Sequence, residues 1–446
     1  MSAPGILIAA PASGTGKTTI TLGLLAALRR RGLAVGSFKV GPDYIDPAFH
    51  AIATGRATYN IDPWAMRFET LAGLLEEAGQ GCDLVLGEGV MGLFDGAADG
   101  TGATADIAAL FGLPVLLVVD VTGMGASVAA LIDGFRRHRE DVEVIAVALN
   151  RVASQAHGEI LARACFENLS TPILGMIPRA SSLQLPSRHL GLVQACEHPD
   201  LAAFLAAAAD LVEERVDLDR LQRLARHPTV SILGPDTRPW PPLGQRIAVA
   251  QDRAFAFAYA AVLEGWHRQG AELVPFSPLA DEPPDAAADA VFLPGGYPEL
   301  HAGTLAAGRR WQAGLRAAAE RGAFLYGECG GYMAMGRTLI DRDGQPHAMA
   351  GLLPVVTSFA QPRLHLGYRR IELLERSPLG NAGAAWRGHE FHYASEVERT
   401  GPPLLRAAGV RDSEPSEQGC RLGTVAGSYL HLIDRAARRA PPRQAG

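Results

Sequence analysis

Cysteine is scarce in this chain: five in 446 residues, at Cys82, Cys165, Cys196, Cys329 and Cys420. An odd number at wide spacing excludes a disulfide framework and fits a reducing compartment. No CxxC pair or tight Cys/His cluster offers zinc-ligand spacing. An excess of positive charge is missing too. Lys and Arg number 41 against 47 Asp and Glu, for a net charge of −6, so no basic field invites nucleic acid. Long apolar runs are absent as well. Nothing approaches the ~18 residues of a membrane span, and the first apolar run, "GILIAA", is strand-length and lacks the basic flank of a signal peptide. These absences point to a cytoplasmic protein that binds neither nucleic acid nor membrane. There is no internal repeat, and the one biased patch is "DEPPDAAADA".

What is present is an ordinary globular composition, 48% hydrophobic and 20% charged, in a chain long enough for two domains. Short apolar runs alternate with helical patterns. The strand candidates of the first half are 6–10, 83–88, 114–120, 143–150 and 172–177; those of the second are 246–252, 272–277, 289–296 and 323–328. In "TTITLGLLAALRRRG", Ile20, Leu24 and Leu28 share one helical face and Gly32 supplies a stop. Apolar strands separated by helices imply parallel sheets covered on both faces, an α/β fold. A helical stretch over 200–226 precedes a proline-rich segment. The domains are therefore set at 1–226 and 246–446, with 227–245 as linker, and the Arg/Pro tail after 435 is expected to fray.

The segment "ILIAAPASGTGKTTITLGLL" reads as strand, glycine loop, helix. Gly14 and Gly16 let backbone N–H groups turn toward phosphate oxygens, and the following helix presents its positive end. Thr15 and Thr19 belong to the same loop and first turn, Lys17 reaches terminal phosphates, and Thr18 can ligate Mg²⁺. The pattern G-x-x-x-x-G-K-[ST] wants glycine at 11, where this chain has Pro11. A magnesium triphosphate needs hard oxygen ligands. "FKVGPDYIDP" offers Asp43 and Asp46; "LVLGEGVMGLFDG" offers Glu88 at a strand end and then Asp95. Asn150, at another strand end, can hydrogen-bond a purine or cap a loop.

"AFLYGECGGYMAMG" reads as strand, tight turn, helix, with Cys329 on the elbow. A nucleophile there stands at the top of the sheet, and the helix N-terminus is expected to lower the thiol pKa. The Gly330 N–H can face an oxyanion, and the Gly-rich turn of "FLPGGYPEL", at Gly296, offers the other wall. A thiol nucleophile wants an imidazole, and His431 follows a small-residue strand late in the chain. In "GHEFHYASE", His389, Glu390 and His392 lack the H-E-x-x-H spacing, and their alternation suggests a strand that lines a pocket or pairs internally. "RLHLGYRR" either lines a pocket for an acidic substrate or forms a basic edge strand.

Taken in order, "SGTGKTT", "FKVGPDYIDP", "GEGVMGLFDG", "NRV", "RHLGL", "LPGGYPE", "YGECGGYM", "GHEFHY" and "GSYLHL" resemble the cobyrinate or hydrogenobyrinate a,c-diamide synthases of cobalamin biosynthesis across essentially the whole chain. The resemblance implies a P-loop domain with a parallel sheet like that of dethiobiotin synthetase and a triad-type (class I) glutamine amidotransferase domain. It implies ATP-dependent amidation of two acetate side chains of a corrinoid tetrapyrrole acid, with L-glutamine as nitrogen donor and Mg²⁺ as cofactor. Cys329 would be the nucleophile and His431 its base; Lys17, Thr18, Asp43, Asp46, Glu88 and Asp95 would serve ATP, Mg²⁺ and carboxylate activation. The usual triad acid sits two residues after the histidine, where this chain has Ile433, with Asp434 one residue off; the resemblance implies a dyad that acts without a carboxylate. Two rival readings stay open. One is a paralogous amidase, a cobyric acid synthase or a nickel-sirohydrochlorin a,c-diamide synthase. The other is a P-loop switch ATPase with an inactive glutaminase domain. The sequence leaves the oligomeric state open, a homodimer included, along with the metal content of the ring, the order of the two amidations and the ammonia path.

Overall fold

Seven short strands that carry almost nothing but apolar residues make the first sheet. They are β1 (Gly5–Ala9), β2 (Val35–Val40), β3 (Tyr59–Ile61), β4 (Leu84–Glu88), β5 (Val115–Asp120), β6 (Val144–Val152) and β7 (Ile173–Pro178). Their order is β3-β2-β4-β1-β5-β6-β7, and every pairing is parallel. Strands buried on both faces need no polar alternation. This computed structural model describes residues 3–180, 183, 185–188, 191–229, 240–412 and 414–436. The chain divides into two units, Met1–Trp64 with Phe68–Thr237, and Ala65–Arg67 with Arg238–Gly446. Within the segments read from sequence, His189 and Leu190 of "RHLGL", residues 230–239 of the linker and residues 437–446 of the tail lie outside the described residues.

In the first unit, β1 lies between β4 and β5, so successive strands leave it on either side. The crevice at the strand C-termini opens at such a reversal. Helix α1 (Lys17–Arg30) follows β1 through the glycine loop, with Ile20, Leu24 and Leu28 buried as the periodicity predicts. Helix α2 (Ile45–Thr54) follows β2 and ends at Gly55, whose φ of 73° is the left-handed stop that glycine favours. Register aligns Lys39 on β2 with Glu88 on β4. The sequence reading did not include β2 or β3.

The second unit has a six-stranded sheet in the order Glu272–Phe276, Arg246–Ala250, Ala290–Leu293, Phe324–Glu328, Val425–Ser428, Cys420–Leu422. Its first five strands are parallel. A separate antiparallel sheet runs Ser416–Gln418, Leu405–Gly409, His365–Leu373, Ala385–His392, His431–Arg435. The chain leaves the parallel sheet at Ser428 and enters the antiparallel one at His431. The strand His365–Leu373 pairs along its length with Ala385–His392 and, from Arg369 onward, also with Leu405–Gly409, so within "RLHLGYRR" residues 365–368 pair on one side and Arg369 and Arg370 on both. Among the described residues no helix is long and apolar enough to cross a membrane.

Candidate active site

The loop after β1 has the form its glycines require. Gly14 and Gly16 have φ of 77° and 87°, a region that costs other residues energy. Residues 12–19 line a cavity of about 670 Å³ together with Lys39, Asp43, Asp46, Met91 and Arg151. Lys17 Nζ donates to the Met91 carbonyl at 3.1 Å. Burial, helped by the neighbouring Lys39 ammonium, brings Lys17 down to about 8. Pro11 does not disturb the loop, since the left-handed positions fall at 14 and 16.

Below this cradle lies a buried ion network. Lys39 Nζ donates to Asp46, to Glu88 Oε1 at 3.0 Å and to the Gly89 carbonyl at 3.3 Å. Thr18 Oγ1 donates to Glu88 Oε1 at 2.6 Å, and His50 Nε2 meets Glu88 Oε2 at 2.7 Å. Burial opposes the charge on Lys39, but Asp46, Glu88 and Asp43 outweigh it and hold the ammonium protonated above its ordinary range. Burial likewise opposes the charge on Glu88, yet Lys39 and His50 keep that carboxylate well below the usual range. Burial raises Asp46 to about 6 against the pull of Lys39. Lys39 and His50 escaped the sequence reading. The available signal was a lysine inside an apolar strand, two residues before "GPD".

Three residues singled out in the sequence also make local backbone bonds. Asp43 Oδ1 accepts from the N–H groups of Ile45 and Asp46 at 2.7 and 2.9 Å. It therefore caps α2 with one oxygen while still lining the cavity. Asp95 Oδ2 accepts from Gly92 N–H at 2.9 Å and does not line the cavity; it ties the turn that carries Met91. Asn150 donates to the Thr15 carbonyl at 2.7 Å, and its own oxygen accepts from Arg151 N–H at 2.9 Å. Its amide braces the phosphate loop: a Cβ at Gly16 would lie 2.5 Å from Asn150 Nδ2.

In the second unit Cys329 is a strained elbow, with φ 46° and ψ −100° between the strand Phe324–Glu328 and the helix Gly330–Met335. Its N–H donates to the Ser428 carbonyl at 2.8 Å. Contact follows contact around it. A Cβ at Gly330 would lie 3.0 Å from Gly296 N, and one at Gly295 would lie 2.5 Å from His431 Cε1. The Gly295–Gly296 turn thus lies against Gly330, next to Cys329, on one side and against the His431 ring on the other. The expectation of a depressed thiol pKa is corrected. Burial pushes Cys329 up, Glu299 adds to this, and the Gly330 N–H opposes it too weakly. Burial, with His392 adding, lowers His431 to about 3, so the imidazole is neutral and able to accept a proton.

Asp434 is no partner for that imidazole. It lies buried within the second unit, accepting from Arg67 N–H at 2.9 Å and Nη2 at 3.0 Å. Glu328, absent from the sequence reading, has Oε2 3.7 Å from His431 Nδ1. The strand Ala385–His392 sends alternate side chains to opposite faces. His389 stacks on His431 with centroids 4.8 Å apart, while Glu390 and His392 join His365 in a cluster with ligand atoms within 4.8 Å. His389 and His392 therefore do not form a shared metal site. Glu390 already accepts from Arg369 at 2.6 Å and meets His392 Nε2 at 2.8 Å, and His392 Nδ1 meets the Ala394 carbonyl at 2.8 Å. Glu390 and His392 are thus paired with each other, with Arg369 and with the Ala394 carbonyl, while the His365 Nε2 makes no hydrogen bond.

Residues 6–193 match the CobQ/CobB/MinD/ParA nucleotide binding domain, and residues 246–438 match the CobB/CobQ-like glutamine amidotransferase domain. Phosphate cradle and cysteine elbow on two α/β units, in these two domain types, define a ligase that draws its nitrogen from glutamine. Similar chains include the hydrogenobyrinate a,c-diamide synthases of Brucella anthropi, 52% identical over 98% of this chain and 100% of the relative, and of Rhodobacter capsulatus, 52% identical over 96% and 98%. A third, from Sinorhizobium sp, is 52% identical over 97% of this chain and 99% of the relative. The chain belongs to the hydrogenobyrinate a,c-diamide synthase family of cobalamin biosynthesis.

Proposed function

We propose that the chain amidates the a- and c-acetate carboxylates of hydrogenobyrinic acid, or of its cobalt-bearing counterpart cobyrinic acid, with ATP and L-glutamine. The observation that carries this reading is 52% identity along 98% of the chain to a synthase of that name. Residues 1–226 serve as the synthetase domain, 227–245 as linker and 246–446 as the glutaminase domain, in a cytoplasmic enzyme.

The first half makes a poor electrophile reactive. Gly14, Thr15, Gly16, Lys17, Thr18 and Thr19 hold the ATP phosphates. A second cavity of about 340 Å³ beside Thr19 and Asn150 is suited to the nucleoside. A substrate carboxylate oxygen attacks the γ-phosphorus, ADP departs, and an acyl phosphate remains. Lys17 and Lys39 face the charge that builds on the transferring group. The donor set of Thr18, Asp43, Asp46 and Glu88 is all hard oxygen and fits Mg²⁺, which would supply charge neutralisation at the phosphates. Asp95 acts by holding the Met91 turn.

The second half supplies neutral ammonia, since NH₄⁺ has no lone pair. Cys329 attacks the side-chain amide of glutamine while His431 takes the thiol proton and passes it to the leaving nitrogen. The N–H groups at Gly296 and Gly330 receive the oxyanion. Water then clears the thioester as glutamate, and ammonia displaces phosphate from the acyl phosphate. Incubation with ATP, Mg²⁺, glutamine and either metal-free or cobalt-bearing hexaacid, followed by mass spectrometry, tests the substrate. Two successive replacements of hydroxyl by amino are expected, and no amidation of either ring overturns the reading. Cys329→Ala should abolish glutamine use while leaving amidation driven by ammonium salts; loss of both contradicts the division of labour.

A further inference from the structure

We propose that Glu328, the residue immediately before the nucleophile, is the positioning carboxylate for His431, filling the role that neither Ile433 nor Asp434 fills. The inference rests on the reading of Cys329 and His431 given above and assigns a third member to their site.

The geometry sets Glu328 apart from its neighbours. It is the last residue of the strand Phe324–Glu328 and only 3% exposed. Oε1 is fixed by two donors, Leu432 N–H at 3.0 Å and Tyr326 O–H at 3.2 Å. The first of these comes from the residue after the histidine, so the same bond locks the carboxylate to the backbone that carries the imidazole. With Oε1 held, Oε2 is directed toward His431 Nδ1, 3.7 Å away. Ile433 is apolar and buried, and Asp434 is committed to Arg67. The other face of the imidazole is covered by His389, a ring that burial keeps neutral.

The chemistry requires a partner at that nitrogen. To accept a proton at Nε2, a neutral histidine must carry its own proton on Nδ1, and an acceptor beside Nδ1 selects that tautomer. When the Cys329 S–H proton moves to Nε2, sulfur bonds to the glutamine Cδ and the ring becomes an imidazolium. The Glu328 carboxylate provides its countercharge. The Nε2 proton then passes to the amide nitrogen, the C–N bond breaks, NH₃ leaves and the ring is neutral again. Glu328 neither gains nor loses a proton in the cycle. The 3.7 Å gap is of the kind that closes when substrate binds.

The groups facing Glu328 are Tyr326 on its own strand, Cys329 next to it, and Leu432 N–H and His431 on the strand His431–Arg435, with His389 stacked on His431. Burial raises Glu328 to about 8, against the pull of Leu432 N–H and Tyr326 O–H. A protonated Glu328 offers Nδ1 a donor and favours the wrong tautomer, so ionisation of this acid should appear as an alkaline rise in glutaminase kcat/KM.

The test uses the full chain and follows glutamate release from neutral to alkaline pH in wild type, Glu328→Gln, Glu328→Asp and Cys329→Ala, with thermal unfolding as a check on folding. In Glu328→Gln, kcat should fall by roughly 10²-fold with KM for glutamine nearly unchanged and the alkaline rise gone. Glu328→Asp should keep the rise and recover part of kcat. Wild-type kcat and pH profile in folded Glu328→Gln overturn the proposal while leaving the roles of Cys329 and His431 standing; glutamine hydrolysis by Cys329→Ala overturns those roles instead. If neither Glu328 variant folds, ¹⁵N NMR of histidine-labelled wild type above the Glu328 titration decides. An Nδ1–H tautomer at His431 supports the assignment, and an Nε2–H tautomer overturns it.

Discussion

Lys39 and Glu88 are register partners on adjacent parallel strands, and the ammonium of one lies 3.0 Å from the carboxylate of the other. Both side chains are almost wholly buried, and the pair lies next to Thr18 of the phosphate loop. Lys39→Met should therefore do two kinds of harm. It leaves Glu88 and Asp46 without their buried cation, a loss of about 3–5 kcal/mol for a pair broken on one side. It also removes positive charge from the ATP cavity, so ammonium-driven amidation should fall by at least ~10²-fold. Denaturant unfolding and single-turnover kinetics separate the two.

Thr18→Val keeps the shape of the residue and deletes its hydroxyl. If Thr18 is a magnesium ligand, titration of amidation against Mg²⁺ should shift to roughly tenfold higher concentration or more. Glutaminase activity measured alone should not move.

Asn150→Ala removes the amide that holds the Thr15 carbonyl at 2.7 Å. A buried carbonyl left without its donor costs about 1–3 kcal/mol. The brace acts on the loop and not on the chemistry, so the expected effect is a KM for ATP raised about tenfold or more with kcat much less altered, read from ATP titrations at saturating ammonium.

Glu328 should give stability an unusual pH slope. Its folded pKa of about 8 lies above the ordinary carboxylate value, so between the two the folded state holds a proton that the unfolded state has released. Stability then falls as pH rises from the ordinary carboxylate range toward 8. Glu328→Gln removes this contribution. Its melting temperature relative to wild type should increase with pH across that window, and a parallel pair of curves would contradict the raised pKa.

Gly331 tolerates no side chain. An added Cβ would sit 1.9 Å from the Leu293 carbonyl oxygen, a rigid backbone atom of the neighbouring strand. Gly331→Ala should destabilise the second unit by about 1–3 kcal/mol or more and displace the elbow, seen as a lower melting temperature with loss of glutamine-driven turnover.

The sequence made the parallel strands visible wherever burial on both faces produced an unbroken apolar run, as in 114–120 and 323–328. It hid β2 because "VGSFKV" contains a serine and a lysine whose partners, Thr58 and Glu88, are distant in sequence. The antiparallel sheet was legible only as isolated strand segments at 363–370 and 388–396, for a different reason. His365–Leu373 alternates histidine, arginine and glutamate with apolar residues and buries little of its surface, so its pattern resembles an edge. At the thiol site, the elbow glycines betrayed Cys329 because only small residues permit that turn. Glu328 gave no such signal: a carboxylate beside a nucleophile becomes a partner of the histidine only through the pairing of Phe324–Glu328 with Val425–Ser428. Asp95 was singled out as a carboxylate after a strand end, but it braces the Met91 turn outside the cavity, and side-chain type alone does not separate a ligand from a brace.

The backbone at Cys329, at φ 46° and ψ −100°, has a consequence for how this enzyme evolves. Any residue bearing a Cβ there carries a conformational penalty of order 1–3 kcal/mol, and only glycine escapes it. A drift to glycine would relax the elbow and end glutamine hydrolysis in one step. A lineage released from the need for glutamine nitrogen should lose the sulfur there before it loses the surrounding architecture.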